Sequence, residues 1–220
     1  MKYLIVNGDD FGASHGINRG ILEAHRDGIL TSASLFVDRP GSTEAAALAH
    51  DTLSLGVGLH ADLDGQRRND VRGELRRQLK RFVELLGHPP THMDSHHNVH
   101  RSPDVHPDFL AVADEHGLLV RDCSKVRYVP DFYGQSGGRT DVQNISAASL
   151  VHLLRTRIQD GLNELGCHPG YIDADLVSRY ATERELELRT LCDPCVREAI
   201  RDAGISLVSF RDVPRILRDS

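Results

Sequence analysis

Short apolar runs recur along this chain, separated by longer segments in which apolar residues return every three or four positions. Residues 2–7 read as a buried strand, and residues 16–27 carry Ile17, Ile21 and Ala24 at helical spacing with Gly28 as a stop. A second strand follows over 29–37. Ser42 is placed to N-cap a helix over 43–50, and 53–59 is a third strand that ends at His60. The polar stretch 61–73 reads as a loop, and the next helix, 74–86, sets Leu75, Leu79, Phe82, Val83 and Leu86 on one face. A fourth strand at 91–94 precedes a helix opened by Pro103 that runs to about 116, and a fifth strand spans 118–121. Residues 122–145 have no clear period; a stretch that long in a compact domain is usually functional, and here it is placed to cover a pocket. A helix over 147–164, a strand end at 166–172, a helix over 183–203 with a Thr182/Glu185 capping box, a strand at 205–210 and a short terminal helix complete the pattern.

Strands and helices thus alternate about seven times, which predicts an α/β domain with a parallel sheet over residues 1–220. A (βα) barrel and an open doubly wound sheet both satisfy the pattern. The first strand lacks a G-x-G-x-x-G turn, which counts against a dinucleotide fold. Polar residues end the first, third, fourth and sixth strands, which suits a barrel with its site at the C-terminal face of the strands.

Composition narrows the function classes. Of 220 residues, 40% are hydrophobic and 26% charged, as in an ordinary globular protein. A net charge of -6 argues against nucleic acid or an anionic membrane surface as partner, and the basic positions of 74–86 alternate with acidic ones, as on a solvated helix face. No apolar stretch reaches membrane-spanning length and the opening does not resemble a secretory signal, so a cytoplasmic protein with free thiols is expected. Cys192-Asp-Pro-Cys195 has the spacing of half a zinc site but falls in a helical pattern with no second pair, so two ordinary helix cysteines are expected.

Thirteen histidines bring metal chemistry forward. The densest cluster of ligand-type side chains is Asp94-Ser95-His96-His97-Asn98-Val99-His100. Asp9-Asp10, His60 and His168 each follow a strand-like run in the same way. Each alone is also what a turn or a barrel rim would contain. Together they offer an aspartate and two histidines, a common set for Zn²⁺ or a related divalent ion that leaves positions open for water and substrate. A carboxylate nearby could serve as base, and a further histidine could protonate a leaving group. Asp10-Phe11-Gly12 is not a kinase motif here, because no Gly-rich loop, strand lysine or His-Arg-Asp precedes it, and no G-x-S-x-G supports a serine hydrolase.

Asn7-Gly8-Asp9-Asp10-Phe11-Gly12 resembles the Asn-Ala-Asp-Asp-Phe-Gly opening of the YdjC-like carbohydrate deacetylases, the family of chitooligosaccharide and hopanoid-biosynthesis deacetylases. Gly58-Leu59-His60 is similar to its second motif, 91–100 to its Thr-His-Leu-Asp-Ser-His-His-His-Val-His segment, and Cys167-His168-Pro169 to its Cys-His-Pro. The resemblance runs from residue 5 to about 212. It implies a distorted TIM-like barrel of about seven strands and hydrolytic removal of an acetyl group from an N-acetylated sugar. It further implies one divalent ion, Mg²⁺ or Zn²⁺, on Asp10, His60 and His96. By the same resemblance Asp9 is the base, and His168 is the general acid or orients Asp9. Asp94, Asn98 and His100 would stand behind the ligands, and a homodimer fits the family.

Two departures bear on the substrate. Asn98 stands where the family often has a third histidine; on extended geometry it would lie beside His96. The stretch 61–73 is short, and with no Trp and 5% aromatic residues there are few platforms for sugar rings, which counts against long chitooligosaccharides and leaves a small or differently decorated amide as substrate. Two other readings remain: a metal-dependent phosphoesterase of the same fold, or a non-catalytic sugar-binding member.

Overall fold

The structure is a computed structural model and describes residues 1–63, 70–173 and 178–219. Its strands are β1 (Lys2–Phe11), β2 (Ser32–Leu35), β3 (Gly56–Ala61), β4 (His92–Ser95), β5 (Leu119–Val120), β6 (Arg127–Val129), β7 (Gln135–Ser136), β8 (Arg139–Thr140), β9 (Gly161–Cys167) and β10 (Ile205–Leu207). Its α-helices are α1 (His15–Asp27), α2 (Ser42–Asp51), α3 (Val71–Leu86), α4 (His106–Glu115), α5 (Ala147–Thr156), α6 (Thr182–Leu191), α7 (Pro194–Asp202) and α8 (Val213–Arg218).

One parallel sheet runs β5-β4-β3-β2-β1-β9-β6, with β10 also on β1, and β7 and β8 form a separate hairpin. Since β9 lies along Lys2–Gly8, β10 and β2 share the other side of β1, β10 beside Lys2–Leu4 and β2 from Asn7 onward. The parallel sheet expected with about seven strands therefore has eight. Parallel neighbours require crossover connections, and α1 to α4 supply them from β1 out to β5. All strands of this parallel sheet end at one rim.

The sheet is rolled. Neighbouring strands lie about 4.8 Å apart, so a flat sheet would hold β5 roughly 19 Å from β1. Yet Arg121, directly after β5, reaches Asp9 of β1 and Glu164 of β9, each at 2.7 Å. Its guanidinium also sits 4.9 Å from the centre of the Tyr128 ring of β6. The β5 and β6 edges share no ladder, so side chains bridge the opening and the barrel is incomplete. Alternation along β1 sorts the layers: Leu4 and Val6 pack with buried Ile17, Ile21 and Ala24 of α1, while Ile5 belongs to a second cluster with Leu162, Phe210 and Val213. That second cluster fills the lower interior. Above it the interior turns polar, with Asn7, Asp9, Ser34, His60, His92, Asp94, Arg121 and Glu164 all buried.

Several sequence expectations are corrected. The helix expected over 147–164 ends at Thr156, and residues 161–164 belong to β9, which opens at Gly161 (φ +90°); its hydrogen-bonded polar residues Asn163 and Glu164 mask the strand. The helix over 183–203 is two helices, because Pro194 has no N–H for the α6 ladder and Asp193 caps α7 through Cys195 N. The capping box is absent; Ala181 is the cap, and Glu183 accepts from Ala181 N. Ser42 lies inside α2 and accepts from Arg39 N. Helix α4 starts at His106 rather than Pro103, and Val83 is 43% exposed. Stretch 122–145 contains β6, the β7–β8 hairpin and a 3-10 turn, Val142–Ile145. The reading of 61–73 as a loop falls partly outside the described residues; within them, α3 begins at Val71.

Candidate active site

Adjacent residues on a regular strand face opposite ways. Asp9 and Asp10 nevertheless reach one pocket, because the β1–β2 register shifts between Gly8 and Phe11, and Asp10 takes a left-handed φ of +68°. The sequence places a turn here; the structure has a bulge inside a strand that continues to Phe11. Left-handed backbone costs a non-glycine residue roughly 1 kcal/mol or more, so this conformation is held by its surroundings.

Asp9 is held on both oxygens. Arg121 donates Nη1 to Oδ2 and Nη2 to Oδ1, both at 2.7 Å, and Asn7 Nδ2 donates to Oδ1 at 2.9 Å. Burial alone would raise the Asp9 pKa, but the guanidinium outweighs it and holds the carboxyl below its ordinary value. Arg121 also pairs with Asp94 Oδ2 at 2.8 Å and Glu164 Oε1 at 2.7 Å. One buried cation thus faces three carboxylates. Glu164 feels burial and its acidic neighbours more than the arginine, and its pKa is pushed up to about 7.

His60, at the end of β3, gives Nδ1 to Asp94 Oδ1 at 2.6 Å. Asp94 Oδ2 accepts from Ser34 Oγ at 2.6 Å. With Nδ1 as donor, Nε2 of a neutral His60 carries its lone pair, and it faces Asp10 Oδ1 at 3.4 Å. That oxygen is buried and has no hydrogen-bond partner among the described residues, while Arg184 Nη2 holds Asp10 Oδ2 at 2.5 Å. Burial favours neutral His60, but Asp94, Asp10 and Asp9 prevail and raise it to about 10. His96 completes the corner: its ring centre lies 5.8 Å from that of His60 and 5.3 Å from Phe36.

Ligand-type atoms of Asp9, His60 and Asp94 fall within 4.8 Å of one another. The oxygens of Asp9 and Asp94 are nonetheless committed to Arg121, Asn7, Ser34 and His60. Asp10 Oδ1 and the Nε2 of a neutral His60 would be two facing acceptors for a cation, which would there take the place of the imidazolium proton. The donor set fits a divalent ion.

His168 follows β9. Its Nε2 lies 3.9 Å from Asp9 Oδ2, too far for a direct hydrogen bond, and its Nδ1 is buried without a partner among the described residues. Burial lowers its pKa against the pull of Asp9 and Asp10. The turn behind it packs backbone to backbone against α1: a Cβ on Gly20 would lie 2.5 Å from Gly170 Cα. Glu187 Oε2 accepts from His168 N at 2.5 Å and fixes the same turn from α6.

The extended geometry expected for the histidine cluster is corrected. Residues His96–Arg101 form a 3-10 turn in which His97 (φ 54°) and Asn98 (φ 52°) are left-handed, so 96, 98 and 100 do not share a strand face. The His96 and His97 rings lie 3.7 Å apart, and Asn98 Oδ1 is buried without a partner among the described residues. His100 closes the turn, bonding Ser95 Oγ through backbone N (2.9 Å) and Nδ1 (2.7 Å), with its ring against Phe109.

The comparisons with known proteins decide the family. The chain matches the family described as YdjC-like protein over residues 3–69 and 63–202. This chain belongs to the YdjC-like family. A carbohydrate deacetylase from Geobacillus stearothermophilus is 38% identical, covering 96% of this chain and 98% of its own. A chitooligosaccharide deacetylase from Serratia marcescens is 32% identical over 96% of this chain and 99% of its own. Among solved structures, an Enterococcus faecalis V583 protein named as a candidate cellobiose-phosphate cleavage protein superposes with a TM-score of 0.84 at 26% identity, covering 96% and 98% of the two chains.

This YdjC-like chain also uses residues that the sequence did not single out for the site. Arg121 carried the same signal as His60 and Asp94, a lone charge closing an apolar run. Glu164 was hidden in an apparent helix. Arg184 and Glu187 lie in a helix rich in charged residues and are buried. His92 of the 91–100 segment is not at the centre; its ring stacks on Phe210 at 3.7 Å and presses on Gly58, where any Cβ would come within 2.3 Å of it.

Proposed function

We propose that this YdjC-like protein is a metal-dependent carbohydrate deacetylase that hydrolyses the acetamide of a small N-acetylated sugar. The observation that carries this reading is the buried, unpartnered Asp10 Oδ1 facing His60 Nε2 at 3.4 Å beside the Asp9–Arg121 pair. It is supported by the deacetylases to which the chain is 32–38% identical over nearly its whole length. Asp10, His60 and His96 would hold one divalent ion, and two imidazoles favour Zn²⁺ or a similar transition metal over Mg²⁺. Bound there, such an ion supplies positive charge that polarises the acetyl carbonyl and lowers the pKa of water.

The chain's own groups supply the rest. Asp94 orients His60 through Nδ1, an arrangement that fixes the tautomer and raises the basicity of Nε2. Arg184 occupies Asp10 Oδ2 and leaves Oδ1 for the ion. Asp9, kept ionised and aimed by Arg121, takes a proton from the attacking water. His168, across from it, is neutral at rest because burial lowers its pKa; it takes up the proton that Asp9 removes from water and gives it to the departing amine nitrogen. Glu187 and Gly20 hold the His168 turn.

The test is acetate release from N-acetylated mono- and disaccharides, with metal content measured on the same samples. Release with one metal ion per chain is expected, and His96→Ala should lose both. Full metal occupancy in His96→Ala would remove His96 from the ligand set. Release of phosphate from sugar phosphates with no release of acetate would favour a phosphoesterase.

The facing pair also predicts a proton count. Without an ion, His60 keeps a proton on Nε2 between Asp94 and Asp10, its pKa near 10. The ion takes that proton's place, so binding at pH 7 should release about one proton, and affinity should rise with pH by roughly tenfold per unit. Calorimetry in buffers of different ionisation enthalpy measures this; binding with no proton release would contradict it.

A further inference from the structure

Of the chain's five Tyr and six Phe residues, Tyr133 alone is exposed, at 40%. Its position is fixed. Its ring stacks on Tyr180 with centres 4.7 Å apart and planes 10° from parallel, and its edge meets the His168 ring at 5.5 Å. Tyr180 is buried; its hydroxyl accepts from Gly134 N at 2.7 Å and donates to Glu187 Oε1. Gly134 leaves room for this contact, since a Cβ there would meet Ile145, Glu183 and Tyr180 within 3.0 Å. Glu183 ties down the hairpin that follows, accepting from Gln135 Nε2 (3.0 Å) and Thr140 Oγ1 (2.7 Å) on its Oε1. An exposed aromatic ring is thus held by buried groups one side chain away from the reacting pair.

We propose that Tyr133 is the platform on which the sugar ring carrying the acetamide stacks, and that it sets the preference for a pyranose over an open-chain amide. This rests on the deacetylase reading and names the ring-recognising residue within it. With Tyr180 covering one face, the exposure of Tyr133 comes from its rim and opposite face. A pyranose with equatorial substituents presents axial C–H groups on its flat face, which suit the negative face of an aromatic ring. The His168 edge contact puts that ring beside the group that protonates the leaving nitrogen. The sequence has few aromatics, and the structure sets the one exposed ring at this place, which fits a short substrate held by a single stack.

The test compares the parent protein with Tyr133→Leu, which keeps bulk without a ring, and Tyr133→Phe. Substrates are an N-acetylated β-linked aminosugar disaccharide and N-acetylethanolamine. Tyr133→Leu should raise KM for the disaccharide by about tenfold, the worth of one good aromatic contact, with a much smaller effect on kcat. The loss on N-acetylethanolamine should be far smaller, and Tyr133→Phe should recover most of the disaccharide KM. Titrating the disaccharide into Asp9→Asn protein, with and without Tyr133→Leu, reads binding apart from turnover. Equal losses on both substrates, or an unchanged disaccharide KM with an active parent, would overturn the platform alone. A parent that neither binds nor deacetylates the sugar would overturn the deacetylase reading and the platform with it.

Discussion

Replacing Asp9 with Asn should cut kcat by roughly 10²- to 10⁴-fold, the usual worth of a positioned general base. Both oxygens of Asp9 are engaged, by two Arg121 donors at 2.7 Å and by Asn7. Asparagine keeps the size of the group and one acceptor, but its amide cannot take a proton from water. Asp10, His60 and His96 are untouched, so the metal content of Asp9→Asn should equal that of the parent. KM should move little, because the loss falls on a group that acts in the transition state. The guanidinium will meet an amide NH₂ in place of one oxygen, and Arg121 retains Asp94 and Glu164 to hold it. Steady-state kinetics with metal analysis on the same preparation decides the matter: an unchanged kcat would take the base role from Asp9.

Arg121→Leu should cost about 3–5 kcal/mol of stability, because truncating one partner of a buried ionic cluster leaves the others uncompensated. Here three carboxylates, Asp9, Asp94 and Glu164, lose the guanidinium that each contacts within 2.8 Å. A loss of that size is a large share of the roughly 5–15 kcal/mol that keeps a typical domain folded. The same side chain bridges the β5 and β6 edges over Tyr128, so its removal also weakens the closure of the rolled sheet. Urea unfolding by circular dichroism, compared with Arg121→Lys, measures the effect. Lysine restores the charge without the fork, and should recover part of the stability but not the two-point hold on Asp9. A Leu variant within about 0.5 kcal/mol of the parent, the range of an ordinary surface change, would contradict this account of the cluster.

The parallel α/β order was legible from apolar runs alone, because strands buried on both faces are short and apolar, and α1 and α3 turn apolar stripes to the sheet. Legibility failed where polar residues are buried. Glu164 faces Arg121 inside the barrel, and Asn163 on the opposite face bonds the backbone oxygens of Tyr3, Gln159 and Gly161, so β9 reads as the tail of a helix. Arg184 and Glu187 of α6 are buried against Asp10 and His168, so the helix carried no apolar stripe and its inner face was invisible. Asp9, Asp10, His60, Asp94 and His168 are legible because each lies near the C-terminal end of a strand, where the barrel architecture gathers side chains. Arg121 ends one too, but a guanidinium is not a metal-ligand side chain and carries no ligand signal. The bulge at Asp10 and the left-handed turn at His97 and Asn98 carry no strong sequence signal, since both depend on tertiary contacts to hold an unfavourable φ.

On the proposed function, this centre removes acetyl groups by means of a bound divalent ion. The most direct measurement is acetate release from an N-acetylated aminosugar disaccharide by protein stripped of metal and then titrated with Zn²⁺. The stripped protein should release no acetate, and recovery should saturate at one equivalent of Zn²⁺ per chain. Release that continues at full rate after stripping would contradict the proposed function.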